Sequence, residues 1–81
     1  MDTVTAIESF IVNEIMLADN STQIDPNESL INSGVLDSLA LLRLIAFIEE
    51  QFSVTIEDSE VIPENLETIN DIVVFIEQKK N

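Results

Sequence analysis

DSLALLRLIAFIEEQF, residues 37–52, is an apolar run broken by only four charged side chains. At about 100° per residue, Leu41, Leu44, Ile45, Ile48 and Phe52 fall within one arc of roughly 100°, the core-facing stripe of an amphipathic helix. Leu39, Leu42, Ala46 and Phe47 lie outside that arc, beside Arg43 and Glu50. A small domain has too few other helices to cover an apolar surface that runs nearly all round. The spare face is therefore expected to meet a partner. Asp37 suits the N-cap of this helix, and Ser38 stands at its mouth.

Around this helix the periodicity predicts three more. Val4, Ile7, Ile11, Ile15 and Ala18 carry helical spacing over residues 4–18, with Asp2 or Thr3 as cap and Glu8 near the positive end. Thr55-x-x-Asp58 suggests a cap for a short third helix that ends before Pro63. Thr68-x-x-Asp71 reads as a capping box for a fourth. There, Ile69, Ile72, Val73 and Ile76 form the buried stripe, and Lys79 and Lys80 suit the C-terminal dipole. Between the first two helices, Asp19 to Asp37 turns to Asp, Asn, Ser, Thr, Gln and Pro, with scattered apolar residues. Long connections of this kind are usually functional. The lone glycine, Gly34, is placed for a positive-φ turn. The expectation is an all-α four-helix bundle, residues 1–81 forming a single domain.

Composition bounds what such a domain does. Sixteen acids face three bases, a net charge of −13. That surface repels nucleic-acid phosphates and anionic lipid, so neither is an expected partner. No apolar run approaches the roughly 20 residues of a membrane helix. The absence of cysteine, and a start without the basic region of a secretory signal, fit a cytoplasmic monomer.

Catalysis has no apparatus here. The chain has no histidine or cysteine, no glycine-rich phosphate loop and no zinc constellation. The nearest calcium-loop candidate, starting at Asp25, carries Leu30 where glycine belongs and Leu36 where the bidentate glutamate belongs. No catalytic residue and no metal ligand is expected. Ser38 keeps two readings: a serine that only satisfies backbone donors at a helix start, or an acceptor modified by another enzyme. A hydroxyl at a helix N-terminus is well placed to carry a phosphate group.

GVLDSLALLRLIAFIEEQFSVTI, followed by EDSEVIPENLETINDIVVFIE, resembles the acyl and peptidyl carrier proteins. The Asp37-Ser38-Leu39 motif, Gly34 before it, Phe52 closing the helix and the run from Pro63 to Ile69 all follow that family's pattern. The resemblance implies a four-helix bundle of acyl-carrier type, with a long loop after the first helix and a short third helix. It implies a 4′-phosphopantetheine arm on Ser38 carrying acyl or aminoacyl groups as thioesters. It implies partners: a phosphopantetheinyl transferase, an acyl- or aminoacyl-loading ligase or adenylating enzyme, and downstream synthase enzymes. Docking would fall to Leu39, Leu42, Arg43, Ala46 and Phe47.

The chain departs from carriers of dissociated fatty-acid synthesis, which place acids where Ala40 and Arg43 stand. A free-standing carrier of a specialised polyketide, peptidyl or fatty-acyl pathway is the expectation. The alternatives are a D-alanyl carrier of teichoic acid tailoring or, in a different class, an acidic interaction module without a prosthetic group.

Overall fold

Asp2 opens the first helix, its carboxylate accepting from the Thr5 amide at 2.8 Å. The computed structural model describes residues 2–19 and 22–80. Helix α1 runs Thr3–Phe10 and continues as a π-helical turn over Ile11–Ile15. The Met16 amide donates to the Ile11 carbonyl at 2.8 Å, five residues back. The right-handed winding stops at Leu17, whose φ of 55° is left-handed. For a residue with a Cβ that conformation costs about 1–2 kcal/mol. The expected helix over 4–18 is thus shorter and changes pitch. Ile7 and Ile11 are buried as expected, but Val4 is exposed.

Helix α2 spans Ser38–Phe52 and ends at Ser53, also left-handed at φ 55°. Its buried residues are Ala40, Leu44 and Ile48, one every fourth position. Leu41, Ile45 and Phe52 only flank the core. The buried stripe is therefore rotated from the anticipated arc toward Ala40, the side on which Phe10 of α1 and Phe47 stack at 4.2 Å. Phe52 meets Phe47 edge-on at 6.5 Å.

The region after α2 differs most from expectation. Thr55 caps nothing. Glu57 caps a single 3₁₀ turn, Asp58–Glu60, and exchanges side-chain and backbone bonds with Glu60. Pro63 does not merely end a helix but opens one: α3, Pro63–Leu66, has proline in its first turn, where the missing N–H has no helical partner anyway. Helix α4, Ile69–Lys80, is capped by Thr68 Oγ1, which accepts from the Asp71 amide at 3.0 Å. Ile69, Ile72 and Ile76 are buried as expected. Phe75 is buried with them, and Val73 is only partly covered.

The result is four α-helices with a long connection after the first and a short third, and no strand among the described residues. The core is aliphatic, with Ile7, Ile11, Leu30, Leu44, Ile48, Leu66, Ile69, Ile72 and Ile76 fully enclosed. The connection is not slack. Ile24, Leu30 and Leu36 plug into this core. The Leu30 amide donates to the Glu67 carbonyl at 2.7 Å, and the Asn70 amide donates to Pro26 at 3.1 Å. Ser29 Oγ donates to the Glu67 carboxylate at 2.8 Å. Gly34 takes its anticipated positive φ, 86°. The connection is thereby fastened to the α3–α4 junction, which fixes where α2 begins.

Candidate functional site

Asp37 has extended backbone and sits at the N-cap of α2. Its Oδ1 accepts from the Ala40 amide at 2.8 Å, and its carbonyl accepts from the Leu41 amide at 2.8 Å. Ser38 is therefore the first residue inside the helix, not its cap. Its side chain is exposed, and among the described residues its Oγ has no hydrogen-bond partner. With capping done next door, the hydroxyl is free of structural duty. The Ser38 and Leu39 amides lie in the first turn without an intrahelical acceptor, and the positive end of the helix dipole lies beside them.

That arrangement cannot activate the serine by itself. A nucleophilic serine needs a base aimed at its proton. The chain has no histidine, and Asp37 Oδ1 is engaged by the Ala40 amide. Among the described residues no group of three acids, histidines or cysteines is placed to hold a metal. The carboxyls held below their ordinary range lie outside α2: Asp2 through the Thr5 amide, Glu60 through Lys79, and Glu77 through Thr3. The open hydroxyl stands at a helix N-terminus, where free amides and the helix dipole favour an anionic group.

The surroundings are apolar and open. Leu39 and Leu42 are 69% and 65% exposed, far more than large aliphatic side chains usually are. Ala46 and Arg43 are exposed with them. Arg43 makes no ion pair among the described residues, whereas Lys79 pairs with Glu60 and Lys80 with Glu77. Phe47 belongs less to this face than its sequence position implies, because it is half-buried against Phe10. Ala40 is buried, so its contribution is to packing rather than to an exposed surface.

A hollow of about 450 Å³ adjoins the site, walled by Ile15 at the end of the π turn and Met16 just after it, Val35 from the connection, and Leu39, Ala40 and Arg43 from α2. Periodicity alone gave no sign of it, since its walls come from three segments brought together by the fold. A second hollow of about 450 Å³ lies between α1 and α2 around Phe10 and Phe47.

Residues 11–76 match the family described as the phosphopantetheine attachment site. The chain belongs to that family. It is 31% identical over 80 residues to the acyl carrier protein of Helicobacter hepaticus, covering 99% of this chain and all of the relative. It is 36% identical over 63 residues to a D-alanyl carrier protein of Streptococcus suis, covering 78% of this chain and 77% of the relative. In shape it is similar to a chain in the crystal structure of an FAD-dependent dehydrogenase, with TM-score 0.77 and 33% identity. That match covers 85% of this chain and 96% of the other. The protein is a carrier whose domain attaches a 4′-phosphopantetheine prosthetic group, and its four-helix bundle is of acyl-carrier type. A carrier of this family works with enzymes that modify and load it. No helix among the described residues is long and apolar enough to cross a membrane.

Proposed function

We propose that Ser38 bears the 4′-phosphopantetheine arm and that the whole of residues 1–81 acts as one non-catalytic, cytoplasmic, monomeric carrier domain. The observation that carries this reading is the exposed Ser38 hydroxyl, without a partner among the described residues, directly inside an α2 that Asp37 already caps. Its oxygen would attack the pantetheine-bearing phosphorus of coenzyme A. The P–O bond to the adenosine portion breaks, and the serine proton passes to a base of the transferase. The bound arm supplies the thiol on which cargo rides as a thioester. Asp37 fixes the start of the helix, and the first-turn amides without intrahelical acceptors would be available to the phosphate. Tethering keeps the cargo at high local concentration beside each partner enzyme.

The exposed Leu39, Leu42, Arg43 and Ala46, with the edge of Phe47, form the docking surface in this reading. An apolar patch with a cation differs from the acidic face that basic partners of ordinary fatty-acid synthesis would meet. It favours a ligase or adenylating enzyme with an apolar docking site, in a specialised polyketide, peptidyl or fatty-acyl pathway. The similarity to the dehydrogenase-associated chain supports a downstream step that oxidises the bound cargo. Similarity to D-alanyl carriers supports a second reading, in which the cargo is D-alanine.

The test is incubation with a broad-specificity phosphopantetheinyl transferase, coenzyme A and Mg²⁺, followed by intact mass. One arm is expected on the wild type and none on Ser38→Ala. Modification of Ser38→Ala, or none of the wild type by several such enzymes, overturns the assignment. Loading the modified protein separately with D-alanine and with other acids, each with its own ligase, distinguishes the two cargo readings.

A further inference from the structure

The first helix ends in a way that packing does not explain. The Ala18 amide donates to the Val12 carbonyl at 2.9 Å, and that closure runs through a left-handed residue, a position usually held by glycine or asparagine. Here it is Leu17, at φ 55° and 81% exposed, so a leucine takes a strained backbone and buries almost nothing. Its neighbour Met16 is also exposed and lines the hollow at the start of α2, together with Leu39 and Arg43. Ser38 does not line that hollow. Asp37 and Leu39, on either side of it in sequence, both do, so an enzyme that closes over the Ser38 hydroxyl meets the hollow's rim. In a chain of net charge −13, Lys79 and Lys80 are paired, whereas Arg43 makes no ion pair among the described residues. A free base beside exposed apolar side chains, in so acidic a chain, selects a contact that is apolar with an anion next to it.

Resting on the Ser38 reading, we propose that the end of the first helix belongs to the surface on which the phosphopantetheinyl transferase docks. Met16, Leu17 and Leu39 receive an apolar side chain of that enzyme, and Arg43 pairs with a carboxylate beside it. The contact buries apolar surface that the carrier alone leaves in water. The carboxylate is attracted at Arg43 and repelled by the rest of a chain of net charge −13, so it sets the orientation of docking as well as its strength. Asp37 is the other charged group in the lining. It lies six residues before Arg43, about 9 Å of helix rise. Its Oδ1 is engaged by the Ala40 amide, so the Arg43 end of the hollow is where the carboxylate belongs. The turn needs only a left-handed residue; the leucine in it serves the contact.

The experiment measures kcat/KM for arm addition by a broad-specificity transferase with coenzyme A and Mg²⁺, the product verified by intact mass, beside thermal melts of each unmodified variant. Leu17→Gly suits the left-handed backbone, so its melting temperature should be unchanged or higher, by up to about 4–8 °C. Its kcat/KM should nevertheless fall about tenfold, the scale of leaving part of a leucine side chain unburied. Arg43→Gln should lower kcat/KM about threefold and Arg43→Glu about tenfold, the change falling on KM. Lys80→Gln alters net charge as much as Arg43→Gln but sits at the far end of α4, and it should keep the wild-type rate. Wild-type rates for Leu17→Gly and Arg43→Gln, or equal losses in Arg43→Gln and Lys80→Gln, overturn this proposal and leave the Ser38 assignment standing. Self-association of the wild type in sedimentation that Leu17→Gly abolishes also overturns it, because a second copy then covers this face. No added mass on the wild type overturns both.

Discussion

Replacing Asp37 with alanine isolates the claim that the aspartate, and not the serine beside it, starts α2. Asp37 contributes one side-chain bond to the helix, Oδ1 accepting from the Ala40 amide at 2.8 Å. The backbone bond from Leu41 to the Asp37 carbonyl survives the substitution. One exposed cap is therefore lost, at a cost of about 1 kcal/mol within a usual range of about 0.5–2. For a domain of this size that lowers the melting temperature by about 4–8 °C. Asp37→Asn keeps an acceptor in place and should stay within a few tenths of a kcal/mol of the wild type. Ser38→Ala removes a hydroxyl that bonds to nothing described, and alanine is the better helix former, so its effect should fall within about 0.5 kcal/mol in either direction. Thermal melts of the four unmodified proteins, followed by circular dichroism, measure all three differences. If Ser38→Ala costs as much as Asp37→Ala, the serine is the structural element, and the argument that its hydroxyl is free for modification collapses.

Three further outcomes follow from the charges and the exposed face. Net charge −13 makes the folded chain repel itself, and physiological salt screens beyond about 8 Å, so added NaCl should raise the melting temperature; a flat or falling response refutes uncompensated repulsion. The hydrogen bond from Lys79, at 2.7 Å, holds the Glu60 carboxyl below its ordinary value. Its stabilising contribution is complete above the unfolded glutamate value of about 4.3 and is lost as pH falls through the lower folded value. Lys79→Gln should therefore lose less stability than the wild type on acidification below about pH 4.3, and parallel curves would count against the pair. Leu42→Asp, on an exposed side chain, should leave the circular dichroism spectrum intact and slow loading by the cognate ligase about tenfold, which corresponds to about 1.4 kcal/mol; unchanged loading would remove Leu42 from the docking surface.

Sequence periodicity was enough for the elements whose pattern is local. A helix over residues 38–52 follows from the apolar spacing alone, its aspartate cap from the residue before it, and the left-handed turn at Gly34 from the one residue type without a Cβ. The Asp37-Ser38-Leu39 motif proposed for attachment is local too: its residues are consecutive, and the helix start that exposes them is set within one turn. Chain order could not say which side of α2 is buried. Ala40 lies in the core, and Phe47 is half-covered where Phe10, far away in sequence, stacks on it. The same holds for Pro63, which can end one helix or begin another. The choice follows from the nearby Glu57–Glu60 turn and from the burial of Leu66. The loop from Asp19 to Asp37 looked structureless because its bonds run to Glu67 and Asn70, and polar residues carry no periodic mark of a partner so distant in the chain. For the same reason the hollow beside Ser38 belongs to the tertiary structure alone: a π turn, a loop and a helix face each supply part of its wall, and only the fold brings Met16 and Val35 next to Arg43.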